Sequence, residues 1–121
     1  MKRAVAYKTQ TQLFQALSHP VRLRILDILA RQEACVCHLT AILGLRQPYV
    51  SQQLAILREA GLVADRREGT LIYYRLADER LAQFVAESRA LAAVCAGESL
   101  VFPPVPEGAV EDCPCPHCQS S

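Results

Sequence analysis

Six cysteines stand in this chain of 121 residues, and five of them are grouped. Cys35 and Cys37 flank a single valine, and Cys113, Cys115 and Cys118 fall within six residues near the end. Thiols clustered in this way favour metal binding or redox chemistry over packing. A site made only of thiolates selects soft, thiophilic ions over magnesium or calcium. The segment Cys113-Pro-Cys-Pro-His-Cys118 adds an imidazole to three thiols, and both Cys-x-Cys and Cys-x-x-Cys are ligand spacings. Its prolines keep it extended and lower the entropy lost on capture. The bland alternatives are small buried hydrophobes at Cys35 and Cys37 and a disordered tail with incidental cysteines.

The first pair sits where a helix begins. Leu39, Ile42 and Leu43 make an inward face for a short helix over residues 36–43, and Gly44 stands where a helix end wants a left-handed residue. In an ideal helix, residues two apart point about 200° from each other. Cys35 and Cys37 can therefore face one ion only if Cys35 still lies in the non-helical cap or if the helix start deforms. Thiolates at a helix N-terminus are acidified by the dipole and become better ligands.

The surrounding elements follow from periodicity. Leu13, Phe14 and Leu17 mark a first helix over about 7–17. Ser18-His19-Pro20 is a break and restart, with Pro20 at a first helical position and Val21, Ile25, Ile28 and Leu29 forming a stripe to about Arg31. After Arg46 and Gln47, Pro48 restarts a helix whose Val50, Leu54 and Leu57 recur at i, i+4, i+7 until Gly61. Two short helices about a glycine-containing turn make a helix-turn-helix. Leu62 to Arg67 and Leu71 to Leu76 are β-rich runs around Glu68-Gly69, a hairpin signal. Asp78 suits an N-cap for a last helix to about Ala96, with Leu81, Phe84, Val85, Ser88, Leu91 and Cys95 on one face. The expected fold class is mainly α with a β-hairpin wing, a winged helix-turn-helix. Residues 1–96 are expected to form the winged helix-turn-helix domain, which the resemblance given below makes the DNA-binding and dimerisation domain, and residues 97–121 a flexible Pro/Cys-rich tail.

A recognition helix offers its N-terminal side chains to base edges in the major groove. Gln47, Tyr49, Ser51, Gln52 and Gln53 are the candidates here, since Gln pairs bidentately with adenine and Ser with either partner. Arg66, Arg67 and Thr70 flank the hairpin turn and suit phosphate or minor-groove contact, although a charged edge also discourages strand pairing. A net charge of +1 hides an uneven distribution. Residues 97–121 carry four acids and no Lys or Arg, which leaves thirteen bases against eight acids, +5, in residues 1–96. No apolar run approaches the roughly 18 residues of a membrane span, and nothing resembles a signal peptide. A soluble, cytoplasmic protein with no membrane partner is expected.

These residues resemble the ArsR/SmtB family of metal-sensing repressors. The resemblance is carried by Ala16-Leu-Ser-His-Pro-Val-Arg-Leu-Arg-Ile-Leu26, by Cys35-Val-Cys37, by Val50-Ser-Gln-Gln-Leu54 with Leu57 and Gly61-Leu-Val63, and by Arg66-Arg-Glu-Gly69 with Ile72-Tyr-Tyr74. It covers about residues 10–95 and leaves the tail outside. The resemblance implies a homodimer joined through the first and last helices, a pseudo-palindromic double-stranded operator, and repression relieved by a metal(loid) ion. It also implies that Cys35 and Cys37 bind As(III), Sb(III), Cd(II) or Pb(II). Arsenic-sensing relatives often add a third cysteine three residues after the second, and Thr40 stands there, while His38 replaces a usual acid. Arsenite calls for three thiolates, and Cd(II) or Zn(II) for four ligands. Cys113, Cys115 and Cys118 are expected to supply the missing ones, in the same subunit, in the other, or as a separate site. The zinc site that some relatives build on the last helix lacks partners here: Asp78 is present, but Arg80 and residues 91–94 supply none.

Two rivals remain. One is a redox or sulfur sensor of the same fold, in which thiols oxidise to a disulfide or polysulfide. The other is a thiol–disulfide oxidoreductase at Cys115-Pro-His-Cys118, which would need a following helix, whereas only Gln119-Ser-Ser121 follows. No Ser/His/Asp constellation, phosphate loop or dinucleotide-binding glycine pattern is visible, so no enzyme activity is expected.

Overall fold

A computed structural model describes residues 2–106 and 108. Its elements are α1 (Lys2–Leu17), α2 (Pro20–Leu29), β1 (Ala34–Cys35), α3 (Val36–Leu43), α4 (Gln47–Glu59), β2 (Val63–Glu68), β3 (Leu71–Leu76) and α5 (Arg80–Ala96). The sheet is antiparallel in the order β1-β3-β2.

The core is built by the expected stripes. Ile25 and Ile28 of α2, Leu39 of α3, and Val50, Leu54 and Leu57 of α4 are all fully buried. Burying a side chain of this size contributes roughly 1.5–3 kcal/mol, so the three helices are held mainly by one another. Leu81 and Val85 of α5 close the core from the other side. Between α3 and α4 the chain needs only Gly44-Leu45-Arg46, and Gly44 takes φ 67°, a left-handed value that permits so short a turn. His19 caps α2: its Nδ1 accepts from the Val21 N–H at 3.1 Å. Asp78 supports the start of α5 by accepting from the Arg80 N–H at 2.9 Å. The Arg80 guanidinium beside it holds its carboxyl well below the usual range, at about 2.

Three features depart from expectation. The first helix begins five residues earlier than its apolar periodicity suggests, at Lys2, and its Val5 and Tyr7 are exposed. Strand β1 is absent from the sequence reading, because two residues carry no periodicity. It exists because Ala34 and Cys35 pair with Tyr74 and Tyr73 of β3. On α5 the expected single apolar face divides. Leu81 and Val85 turn inward, whereas Phe84 and Leu91 are exposed and Cys95 lies at the surface.

Candidate thiol site and nucleic-acid interface

Cys35 resolves the geometric problem posed by an i, i+2 pair. It is the N-cap of α3, with extended φ −84° and ψ 167°, while Cys37 lies in the first helical turn. The backbone change between them brings the two Sγ atoms to 2.7 Å. Cys35 is buried and Cys37 half-buried. The pair packs against Tyr73, with Ala41 and Leu71 around it.

The wing forms the wall of this site. Arg66 of β2 lies over the Tyr73 ring, 4.7 Å from its centroid. Its guanidinium is gripped by Glu33, with contacts of 2.5 to 3.0 Å, and by Glu68 at 2.6 Å. The hydrogen bond from Arg66 lowers the Glu33 pKa, and Arg66 is held firmly in its charged form. Glu33 and Cys35 are two residues apart, so the wing is fastened beside the thiols by an ion pair and by the β1–β3 ladder. His38 is buried in α3, and its Nε2 lies 3.1 Å from the Gln32 carboxamide nitrogen. Among the described residues no group of three or more His, Cys, Asp or Glu side chains gathers into a metal-binding cluster. Two soft donors converge, which fits a thiophilic ion in donor type and direction but falls short of the three or four ligands that one requires. Cys113, Cys115 and Cys118 lie outside the described residues.

The DNA-facing candidates separate into two groups. Gln47, Tyr49 and Gln52 are exposed along the N-terminal half of α4, and Ser51 is half-buried beside them. Tyr49 leans toward the start of α2, its hydroxyl 3.3 Å from His19 Nε2. Gln53 is a correction to the sequence reading. It is buried, and its Oε1 accepts from Arg22 Nη1 at 2.9 Å. Arg22 also donates to the carbonyls of Ala16 and Gln15 at the end of α1. A side chain next to Leu54 on the helix turns inward, and the α1–α2 corner supplies its partner. No local signal marks this pairing, because the two residues are 31 positions apart. In the wing, Arg66, Arg67 and Thr70 are all exposed, and Arg66 is in addition paired with Glu33 and Glu68 and stacked on Tyr73. Arg66 therefore also braces the wing base.

A second surface carries apolar side chains. Phe14 of α1 and Phe84 of α5 meet with ring centroids 6.0 Å apart. With Leu17, Leu23 and Leu91 they line a groove of about 530 Å³. No helix among the described residues is long and apolar enough to cross a membrane.

The profile of the family described as "Bacterial regulatory protein, arsR family" matches residues 19–65, from the α2 cap through α4 into β2. The chain is 48% identical over 73 residues to the biofilm growth-associated repressor of Agrobacterium fabrum, covering 60% of this chain but only 62% of that protein. It is 38% identical over 90 residues to an uncharacterized HTH-type transcriptional regulator of Mycobacterium tuberculosis, covering 74% of this chain and 79% of the regulator. Among solved structures it is similar to the homodimeric winged helix-turn-helix DNA-binding domain Mb0332 of Mycobacterium bovis. That likeness has a TM-score of 0.72 and 31% identity, over 84% of this chain and 94% of the other. With this fold and these relatives, the chain belongs to the arsR family of bacterial regulatory proteins and is a regulator rather than an enzyme.

Proposed function

We propose that this chain is a homodimeric transcriptional repressor that binds a pseudo-palindromic operator and is released when a soft ion binds Cys35 and Cys37 with help from the tail cysteines. Arsenite, antimonite, Cd(II) and Pb(II) are the ion candidates, with Zn(II) a weaker one. The observation that carries this reading is the convergence of the two thiols at the start of the helix-turn-helix.

In this reading Gln47, Tyr49, Ser51 and Gln52 read base edges, while Arg67 and Thr70 hold the backbone beside the major groove. The exposed Phe14, Phe84 and Leu91 support a dimer through α1 and α5, since apolar area of this kind gains by being covered. Twofold symmetry then sets half-sites about 34 Å apart. The action is assigned to the cytoplasm, where the DNA is.

Release follows from where the thiols sit. An ion shared by the two sulfurs fixes them against each other at the α3 N-cap. Any shift this imposes acts on the α3 start, which packs against α4, and on the Cys35–Tyr73 register that fastens the wing. A coupling of about 1–3 kcal/mol is typical of such linkage.

The test is a DNA-binding titration with and without arsenite, antimonite, Cd(II), Pb(II) and Zn(II), using wild type and the Cys35→Ser/Cys37→Ser variant. The variant is expected to bind operator and to stay bound when the ion is added. Release of the variant at wild-type ion concentrations overturns the proposal. The same thiol convergence suits a redox or sulfur sensor. Sulfur-to-metal absorption bands on adding arsenite or Cd(II) favour ion sensing, and release by polysulfide without such bands favours the other.

A further inference from the structure

A cavity of about 520 Å³ lies between α2 and α5, a volume in the range of small-molecule sites. None of its lining residues belongs to the thiol site. Leu23 of α2, Leu43 and Leu45 about the α3–α4 turn, and Val85 of α5 give it a mostly apolar lining. The chain past α5 makes a further wall through Phe102. The Phe102 ring lies against the Arg89 guanidinium, 4.2 Å from its centroid. Beyond it Val105 packs on the main core, and Gly108 exchanges two hydrogen bonds with the Gln32 side chain, so this wall is anchored past the cavity as well.

Four polar side chains line the cavity, and three of them are engaged. Arg89 is paired with Asp27. Ser88 Oγ donates to the Val85 carbonyl at 2.6 Å within α5. Arg24 is the fourth. It is half-buried, and its Nε is buried with no hydrogen-bond partner among the described residues. Buried polar groups in folded proteins nearly always find a partner. Two guanidiniums against one carboxylate also leave the lining with a surplus positive charge.

We infer that this cavity binds a small organic anion, a carboxylate on an apolar body, with the carboxylate on Arg24 and the body against Leu23, Leu45 and Phe102. A guanidinium matches a carboxylate in shape and charge and can donate to both of its oxygens. The body leaves water for the apolar walls. A neutral molecule of the same shape gains the second contribution and forgoes the first. An occupant touches α5 and the α3–α4 turn at once, so it is placed to act on the helix-turn-helix without the thiols. The inference does not depend on the ion reading of Cys35 and Cys37.

The test uses the full chain, with 1-naphthoate as the anionic probe and 1-naphthamide as its neutral counterpart, each titrated by calorimetry. 1-Naphthoate is expected to bind once per chain and about tenfold more tightly than 1-naphthamide. Arg24→Gln is expected to weaken 1-naphthoate by about tenfold and to leave 1-naphthamide unchanged, which shows that the cavity itself is intact. Phe102→Ala removes part of a wall and is expected to weaken both probes by about fivefold. Failure of wild type to bind 1-naphthoate, equal affinity for the two probes, or unchanged 1-naphthoate affinity in Arg24→Gln each overturns the inference. Loss of both probes in Arg24→Gln makes Arg24 a structural residue and overturns it too. Sedimentation with 1-naphthoate present tests the rival occupant: binding confined to monomers means that a second copy of the chain fills the cavity, and the inference fails. Cys35→Ser/Cys37→Ser is expected to bind 1-naphthoate as wild type does, and loss of binding there overturns the independence of the two sites.

Discussion

The two helices of the helix-turn-helix begin in opposite ways. At the start of α3 the chemistry faces inward: Cys35 is buried in the ladder with β3, Cys37 turns toward it, and the next side chain, His38, is buried against Gln32. At the start of α4 the chemistry faces outward, with Gln47, Tyr49 and Gln52 exposed and uninvolved in the core. A group that is packed on all sides can act only by moving its neighbours. A group that is exposed acts by direct contact. Under the proposed function this division puts sensing at α3 and contact at α4, and it implies that substitutions in the two places fail differently. Gln53 is the exception that joins them, because it belongs to α4 by sequence and to the interior by structure.

Breaking the buried side of α4 has the largest expected effect. Leu57→Ala removes a fully buried side chain, and a loss of about 2–5 kcal/mol in unfolding free energy is expected by chemical denaturation. Arg22→Ala strands the Gln53 Oε1 and takes a donor from the Ala16 and Gln15 carbonyls at the end of α1. A loss of about 1–3 kcal/mol follows, and DNA affinity falls with it because α4 is no longer braced. Gln52→Ala sharpens the contrast: stability within about 0.5 kcal/mol of wild type, with operator discrimination reduced by about 1–3 kcal/mol in competition binding. A Gln53→Ala variant that behaved like Gln52→Ala would erase the distinction drawn between them.

The wing offers a smaller version of the same contrast. Arg67→Ala is expected to lower the salt slope of operator binding by about 1 without affecting stability. Arg66→Ala instead loosens the wing base. Its partner Glu33 gives the least effect and a definite sign. The Glu33 pKa is lowered in the folded protein by its hydrogen bonds from Arg66. Its contribution is therefore fully present above the ordinary glutamate pKa and is lost as pH falls through the lowered value. Glu33→Gln should remove that acid-side slope, which is worth about 0.5 kcal/mol for a pair this exposed, as read from denaturation midpoints between neutral and acidic pH.

Much of the architecture is set locally. The i, i+4, i+7 stripe of Val50, Leu54 and Leu57, the Gly44 turn, Pro20 at a helix start and the hairpin between residues 68 and 71 each rest on propensity or periodicity within one segment, and the fold follows them. The adjacency of Cys35 and Cys37 was equally legible, together with the condition that both could face one ion only if the first lay outside the helix. What the tertiary structure alone decided concerns partners far apart in the chain. Cys35 is held in the extended cap by a strand two residues long whose partner, Tyr73, lies 38 positions away. Gln53 is drawn inward by Arg22, Arg66 is paired with Glu33 while staying exposed, and Gly108 after α5 is hydrogen-bonded by Gln32. Periodicity reports which face of an element is buried. It does not report which polar side chain on the boundary of that face finds a partner, because that depends on where other elements come to rest.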